Sequence, residues 1–73
     1  MTVLDAVADC VERKTWSDGL WRMARASNTC STTKYVKFVF ANGKDSGCYT
    51  LKSGYYKDFG RLAPARFDGL VRC

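Results

Sequence analysis

Histidine is missing from this chain of 73 residues, and proline occurs only once. Without histidine there are no Ser-His or Cys-His nucleophile pairs, no imidazole metal ligands and no side chain that ordinarily changes charge near neutral pH. Long apolar runs are missing as well, and no stretch approaches the roughly eighteen residues that a membrane-spanning helix requires. We therefore expect no histidine-based catalysis, no cofactor and no membrane span.

What the chain does contain is typical of a small folded domain. Hydrophobic residues make up 47% of it, which argues against disorder. The length predicts a single domain over residues 1–73, with residues 1–9 as a loosely attached N-terminal segment. A domain with a core this small usually needs additional stabilisation, such as a covalent cross-link.

Four cysteines, at positions 10, 30, 48 and 73, are spread along the chain. A zinc site would usually show close pairs such as C-x-x-C, and this sequence has none. Two disulfides in an exported domain are the better interpretation, although four cysteines allow three connectivities and their spacing alone does not choose. The alternative is a cytosolic protein with four free thiols. Because Asp5 and Asp9 interrupt its apolar character, the N-terminus does not resemble a signal peptide, so we interpret the chain as the mature form of a secreted protein.

The pattern of residues beyond position 10 predicts β-structure. Residues 34–41 alternate so that Val36, Phe38 and Phe40 share one face, and Asn42-Gly43 is a strong hairpin signal. The other expected strands are 11–16, 20–27, 46–52, 55–59 and 70–73, with 61–66 as an edge or loop and turns at residues 17–19 and 68–69. Five or six strands imply an all-β sandwich or a small barrel. The spacing of Val3, Leu4, Val7 and Val11 predicts one short helix.

The joint spacing of several segments carries a resemblance to a known family. These segments are Trp21-Arg22-Met23, Ser27-Asn28-Thr29-Cys30, Val36-Lys37-Phe38-Val39-Phe40, Gly47-Cys48-Tyr49 and Val71-Arg72-Cys73. With them, residues 10–73 resemble the tendamistat family of proteinaceous α-amylase inhibitors of actinomycetes. The resemblance implies a six-stranded antiparallel β-sandwich of two three-stranded sheets, with disulfides Cys10–Cys30 and Cys48–Cys73.

Three departures from that family concern the target rather than the scaffold. Met23 stands where the inhibitory triplet has a tyrosine, the Cys10–Cys30 interval is longer, and the net charge is +5, whereas tendamistat itself is mildly acidic. A reuse of the scaffold against another enzyme is therefore one alternative function. A cationic secreted binding or antimicrobial protein is a second alternative, since fold does not fix function.

Catalysis is not expected from these residues. The seven acidic residues are scattered, and Asp18, Asp45 and Asp68 sit beside predicted turns, where aspartate commonly serves as a turn former. The cysteines lack a histidine or another evident base, and pairing in disulfides would remove the reactive thiolate. We predict a protein that is not an enzyme.

An inhibitory role is chemically reasonable for the triplet. A glycoside hydrolase cleft presents carboxylates beside aromatic sugar platforms, and a guanidinium meets carboxylates bidentately. On this hypothesis Arg22 is the anchor, Trp21 occupies a sugar platform and Met23 supplies an adaptable apolar contact. The alternative for Trp21 is a place in the core.

The first hairpin offers a variant of this hypothesis. If Asp18-Gly19 is the tip, the triplet lies on the returning strand, and the binding surface shifts to include Trp16, Asp18 and Leu20. Trp16 and Trp21 would then form a pair across the hairpin.

The excess of Lys and Arg has two interpretations. A solvated surface is the default, and steering toward an acidic enzyme cleft, a nucleic acid or an anionic membrane is the alternative. The basic and aromatic alternation of residues 34–40 resembles a single-strand platform. However, Val36, Phe38 and Phe40 are better explained as core, so we do not expect nucleic-acid binding. Of the adjacent residues Tyr55 and Tyr56, we expect one ring to lie in the core and the other to lie on the surface. The predicted partner is a glycoside hydrolase, and the predicted state is a secreted monomer.

Overall fold

The structure, a computed structural model, describes residues 7–73. In this part of the chain, the fold is built from antiparallel strands. Six strands are present there: β1 (Val11–Asp18), β2 (Trp21–Asn28), β3 (Lys34–Ala41), β4 (Tyr49–Leu51), β5 (Tyr56–Leu62) and β6 (Arg66–Arg72). They form two three-stranded sheets with the orders β1-β2-β5 and β4-β3-β6. The all-β fold with two three-stranded sheets is thereby confirmed.

The core lies between the two sheets. Val36, Phe38 and Phe40 on β3 are almost fully buried, as their alternation predicts, and they face Ala24 and Ala26 on β2. The Phe38 ring stacks on the ring of Phe59, which belongs to the other sheet, with 5.5 Å between centroids. Small alanines in the central strand of one sheet leave room for the large phenylalanines of the other.

The two disulfides have the predicted pairing. Cys10 is bonded to Cys30 and Cys48 to Cys73, with Cα atoms 5.1 and 5.9 Å apart. The first bond closes the base of the β1–β2 hairpin. By restricting the unfolded chain over a separation of 20 residues, it contributes about 3 kcal/mol.

A buried asparagine joins the end of β2 to neighbouring loops. The Asn28 side-chain amide donates to the carbonyls of Thr32 and Leu51 over 2.9 and 2.8 Å, and its oxygen accepts from the Cys30 N–H over 2.9 Å. Only 1% of Asn28 is exposed, and every hydrogen bond it loses would leave a buried group unpaired.

Several predicted boundaries are wrong, and the causes are side-chain contacts. The strand after Asn42-Gly43 begins at Tyr49 instead of residue 46. The reason is that two side chains take the place of a strand here: Asp45 accepts a hydrogen bond from the backbone N–H of Phe40, and Ser46 accepts one from that of Phe38. Asn42 adopts a positive φ of 57°, but Gly43 does not have a positive φ, so the pair does not form the two-residue hairpin turn that its sequence predicts.

The last two strands also differ from prediction. β5 begins at Tyr56 and continues through Gly60 to Leu62, and β6 runs through the Asp68-Gly69 pair that predicted a turn. At that pair the register against β3 shifts, since Val39 lies opposite Gly69 while Phe40 lies opposite Phe67. Asp68 is the extra residue of this bulge.

The predicted N-terminal helix lies largely outside the described residues. Residues 1–6 lie outside the described residues, residues 7–10 contain no helix, and Val11 belongs to β1. Within residues 7–73, no helix is long and apolar enough to cross a membrane.

Candidate functional site

The tip of the β1–β2 hairpin is a two-residue turn formed by Gly19 and Leu20. Gly19 has a φ of +60°, whereas the Leu20 φ is not positive, which is the pattern of a type II′ turn with glycine in its first central position. The strand predicted to begin at Leu20 therefore begins at Trp21. Leu20 instead projects from the turn with 69% of its surface exposed.

The triplet Trp21-Arg22-Met23 opens strand β2 directly after this turn. Because side chains alternate along a strand, Trp21 and Met23 lie on the outer face of the sheet, whereas Arg22 lies on the face that Ala24 and Ala26 share. Trp21 is 47% exposed, so the alternative that it is a core residue is wrong.

The register of the hairpin corrects the predicted tryptophan pair. Trp16 lies opposite Met23, and Asp18 lies opposite Trp21. Trp16 and Trp21 share the outer face but are diagonal neighbours instead of direct partners.

Arg22 is held at the edge of the inter-sheet space. Its Nη1 donates to the Ser17 Oγ over 3.0 Å, and Ser17 is its direct partner on β1. On its other side, Arg22 lies opposite Arg61 of strand β5. The guanidinium at this hairpin is thus flanked by a hydroxyl and by a second arginine.

Strand β5 braces the hairpin tip. Leu62, 52% exposed, lies opposite Trp21, and the Ala63 N–H donates to the Leu20 carbonyl over 2.7 Å. Arg61 Nε donates to the Lys44 carbonyl over 3.1 Å, and the Arg61 guanidinium lies 5.0 Å from the centroid of the Phe59 ring. Sequence reasoning did not place Arg61 or Leu62 at this site, because no local pattern reports which distant strand lies beside β2.

Gly60 explains how β5 passes so close to the triplet. It lies opposite Met23, and a Cβ atom at position 60 would overlap the Met23 sulfur and approach the Arg22 carbonyl oxygen to 3.3 Å. The Met23 side chain fills the space that the missing Cβ leaves. Gly60, which predicted the end of a strand, is therefore a packing position inside it.

A cationic side chain between two aromatic rings stiffens the outer face. The Arg25 guanidinium lies 4.1 Å from the Tyr56 ring centroid and 5.5 Å from that of Trp16. It also donates to both Asp58 carboxylate oxygens, over 2.6 and 3.0 Å. These hydrogen bonds hold the pKa of Asp58 below its ordinary value and raise the pKa of Arg25.

The prediction for Tyr55 and Tyr56 is wrong. Both rings are exposed, by 62% and 58%, because Tyr55 precedes the strand and Tyr56 lies on the outer face against Arg25.

The comparisons with known proteins identify the family. The profile of the alpha amylase inhibitor family matches residues 6–73. The chain belongs to the alpha amylase inhibitor family. Searches of the curated proteins and of the solved structures found no match. Membership in this inhibitor family supports a proteinaceous inhibitor whose target is an amylase.

Two acidic residues of this family member make contacts within the scaffold, and a third lies beside a turn. Asp45 accepts a backbone hydrogen bond, Asp58 pairs with Arg25, and Asp18 ends β1 beside the turn. Within residues 7–73, no three His, Cys, Asp or Glu side chains gather as a metal site would require.

The structure brings most of the predicted site residues together. Trp16, Asp18, Trp21 and Met23 share the outer face of the hairpin, Leu20 caps it, and Arg22 emerges on the opposite face. The predicted site therefore has an apolar side and a cationic side.

Proposed function

We propose that this protein is a secreted inhibitor that blocks the active-site cleft of an α-amylase with its β1–β2 hairpin, and that it is not itself an enzyme. The observation that carries the proposal is the exposure of Trp21 beside Arg22, directly behind the tip of a hairpin. Family membership supports the class of target, and two disulfides are typical of an exported protein.

The chemistry of a glycoside hydrolase cleft suits these residues. Such a cleft holds a pair of carboxylates around the scissile bond. Arg22 supplies a planar cation that binds a carboxylate bidentately, and the Trp21 ring stacks where a sugar would lie. Tryptophan and arginine are also the side chains that most often dominate interface energies.

The rigidity of the hairpin favours tight binding. The Cys10–Cys30 bond closes its base, and the Ala63 hydrogen bond to Leu20 holds its tip against β5. A surface ordered before binding loses little conformational entropy on association. Leu20 and Met23 add apolar contact area beside Trp21, while Trp16 supports Met23 from the opposite strand and Asp18 lies at the rim.

Inhibition assays test this function. The parent protein is titrated into animal and bacterial α-amylases, and the titration is repeated with Arg22→Ala. We expect inhibition by the parent and a rise in its inhibition constant of about 30-fold or more in the variant, because removing one partner of a buried charge pair costs about 2 kcal/mol or more.

The matched control is Arg72→Ala, which removes the same charge near Val11, at the opposite end of the hairpin. This control should inhibit like the parent. A parent without effect at micromolar concentration would exclude the amylase function. Equal inhibition by the parent and Arg22→Ala would show that the contact site lies elsewhere while the function stands.

A different glycoside hydrolase is the second candidate target. The observation that favours it is the placement of the triplet within a strand, where alternation separates Arg22 from Trp21 and Met23. Inhibition of another glycoside hydrolase in a panel, together with inactivity against amylases, would support this candidate.

A further inference from the structure

Two arginines lie directly opposite each other at the hairpin. Arg22 on β2 and Arg61 on β5 are register partners, and both side chains lie on the inner side of their sheet. Directly opposite residues on antiparallel strands have Cβ atoms about 4.5–5.5 Å apart, and like charges in such positions are destabilising. The placement of two arginines at opposing positions therefore needs an explanation.

No acidic side chain of the chain compensates this pair in the part that the structure describes. Among residues 7–73, the ion pair found is Arg25–Asp58, on the outer face. Arg22 donates to a hydroxyl and Arg61 to a carbonyl, and each contact uses one of the five donors of a guanidinium. Most of the hydrogen-bonding capacity of both groups therefore remains available to a binding partner.

The two side chains are also held in place. Arg22 is fixed by Ser17, and Arg61 is fixed by the Lys44 carbonyl together with the Phe59 ring beneath its guanidinium. Both are half-buried at the end of the sheet where the Gly19-Leu20 turn lies. A preorganised pair of cations at the projecting end of a hairpin has the geometry of an anion-binding site.

We propose that Arg61 is a second anchor for the target enzyme, and that Arg22 and Arg61 together bind two carboxylates of its cleft. This inference rests on the proposed function and adds a residue from a distant strand to it. The carboxyl groups of glycoside hydrolases lie about 5–9.5 Å apart. Two long side chains that start about 5 Å apart and diverge can span that distance, with one guanidinium on each carboxylate.

The proposal also accounts for the two arginines at opposing positions. In the free protein the two guanidiniums repel each other, and in the complex two carboxylates neutralise both. The relief of this repulsion favours the bound state and selects a target with paired ionised carboxylates over one with a single acidic group.

The experiment compares inhibition constants for the parent, Arg22→Gln, Arg61→Gln and the matched control Arg72→Gln against the same α-amylase. We expect Arg61→Gln to raise the inhibition constant about 30-fold, as the loss of one partner of a buried charge pair does. Arg72→Gln removes an equal charge far from the tip and should stay within about twofold of the parent, because distant surface charges act mainly through screened steering.

The outcomes separate this inference from the proposed function. A parent that does not inhibit overturns both. A parent that inhibits, with Arg61→Gln equal to it, overturns only the role of Arg61. Thermal unfolding of each variant checks its folding. If Arg61→Gln is unfolded, Arg61→Lys is compared with the parent instead. Weaker inhibition by Arg61→Lys supports the bidentate contact of Arg61, and inhibition equal to that of the parent overturns this contact.

Discussion

Replacing Gly60 with alanine tests the contact between β5 and the inhibitory triplet. The new Cβ would overlap the Met23 sulfur, so the Met23 side chain must leave its position. The Gly60 backbone is not in the left-handed region, and alanine is therefore compatible with its conformation. The effect should come from packing alone.

The magnitude follows from two opposing contributions. Overpacking a filled position costs about 1–3 kcal/mol, and replacing glycine recovers about 0.4–1 kcal/mol by restricting the unfolded chain. We expect a net loss in the free energy of unfolding of about 1–2 kcal/mol. In a domain of this size each 1 kcal/mol lowers Tm by about 4–8 °C.

A double-mutant cycle makes the prediction specific. In a Met23→Ala background the sulfur is gone, and only the 3.3 Å approach to the Arg22 carbonyl oxygen remains. Gly60→Ala should then change the stability by no more than about 0.5 kcal/mol, the usual limit of additivity between independent sites. Denaturant unfolding of the four proteins measures the coupling. An equal loss in both backgrounds would refute the reasoning.

Two further predictions concern stability. Because Arg25 lowers the pKa of Asp58, the unfolded state binds the proton more readily. The Arg25–Asp58 pair therefore stabilises the folded state fully above the unfolded pKa of Asp58, about 3.9. This stabilisation is lost as the pH falls through the lower pKa that Asp58 has in the folded state. The difference in Tm between the parent and Asp58→Asn should therefore disappear as the pH is lowered from 6 to 2. A difference that stays constant with pH would contradict this account of the pair. Asn28→Ala leaves two buried backbone groups and one partly buried group unpaired, and each buried one costs about 1–3 kcal/mol. Chemical denaturation should show a loss above 2 kcal/mol, and a smaller loss would contradict this account.

Local pattern was enough to predict the central strands of the fold. The alternation of Val36, Phe38 and Phe40 gave the core face of β3, and Asp18-Gly19 located the first turn to within one residue. These features depend on neighbouring residues, and their physics is therefore visible in a short window.

Features that depend on distant partners were not predictable in this way. Gly60 and the Asp68-Gly69 pair have the composition of turns, yet both lie within strands. Gly60 fits inside β5 because the Met23 side chain fills the space beside it. The Asp68-Gly69 pair fits inside β6 because a bulge accommodates one extra residue. For the same reason Arg61 was not recognised as a neighbour of Arg22. The family resemblance supplied the sheet arrangement and the disulfide pairing, which spacing alone left open.

The strand orders have a consequence for how copies of this protein meet. Each sheet ends in strands whose outer edges have no strand partner among residues 7–73, and such edges invite pairing between chains. Here each edge discourages that pairing in its own way. β1 carries Glu12, Arg13 and Lys14, β5 carries charged residues, β4 has only three residues, and β6 is distorted by its bulge. We therefore expect the charges on β1 and β5, the short β4 and the bulge of β6 together to protect the protein from aggregation through its sheet edges, even at high concentration.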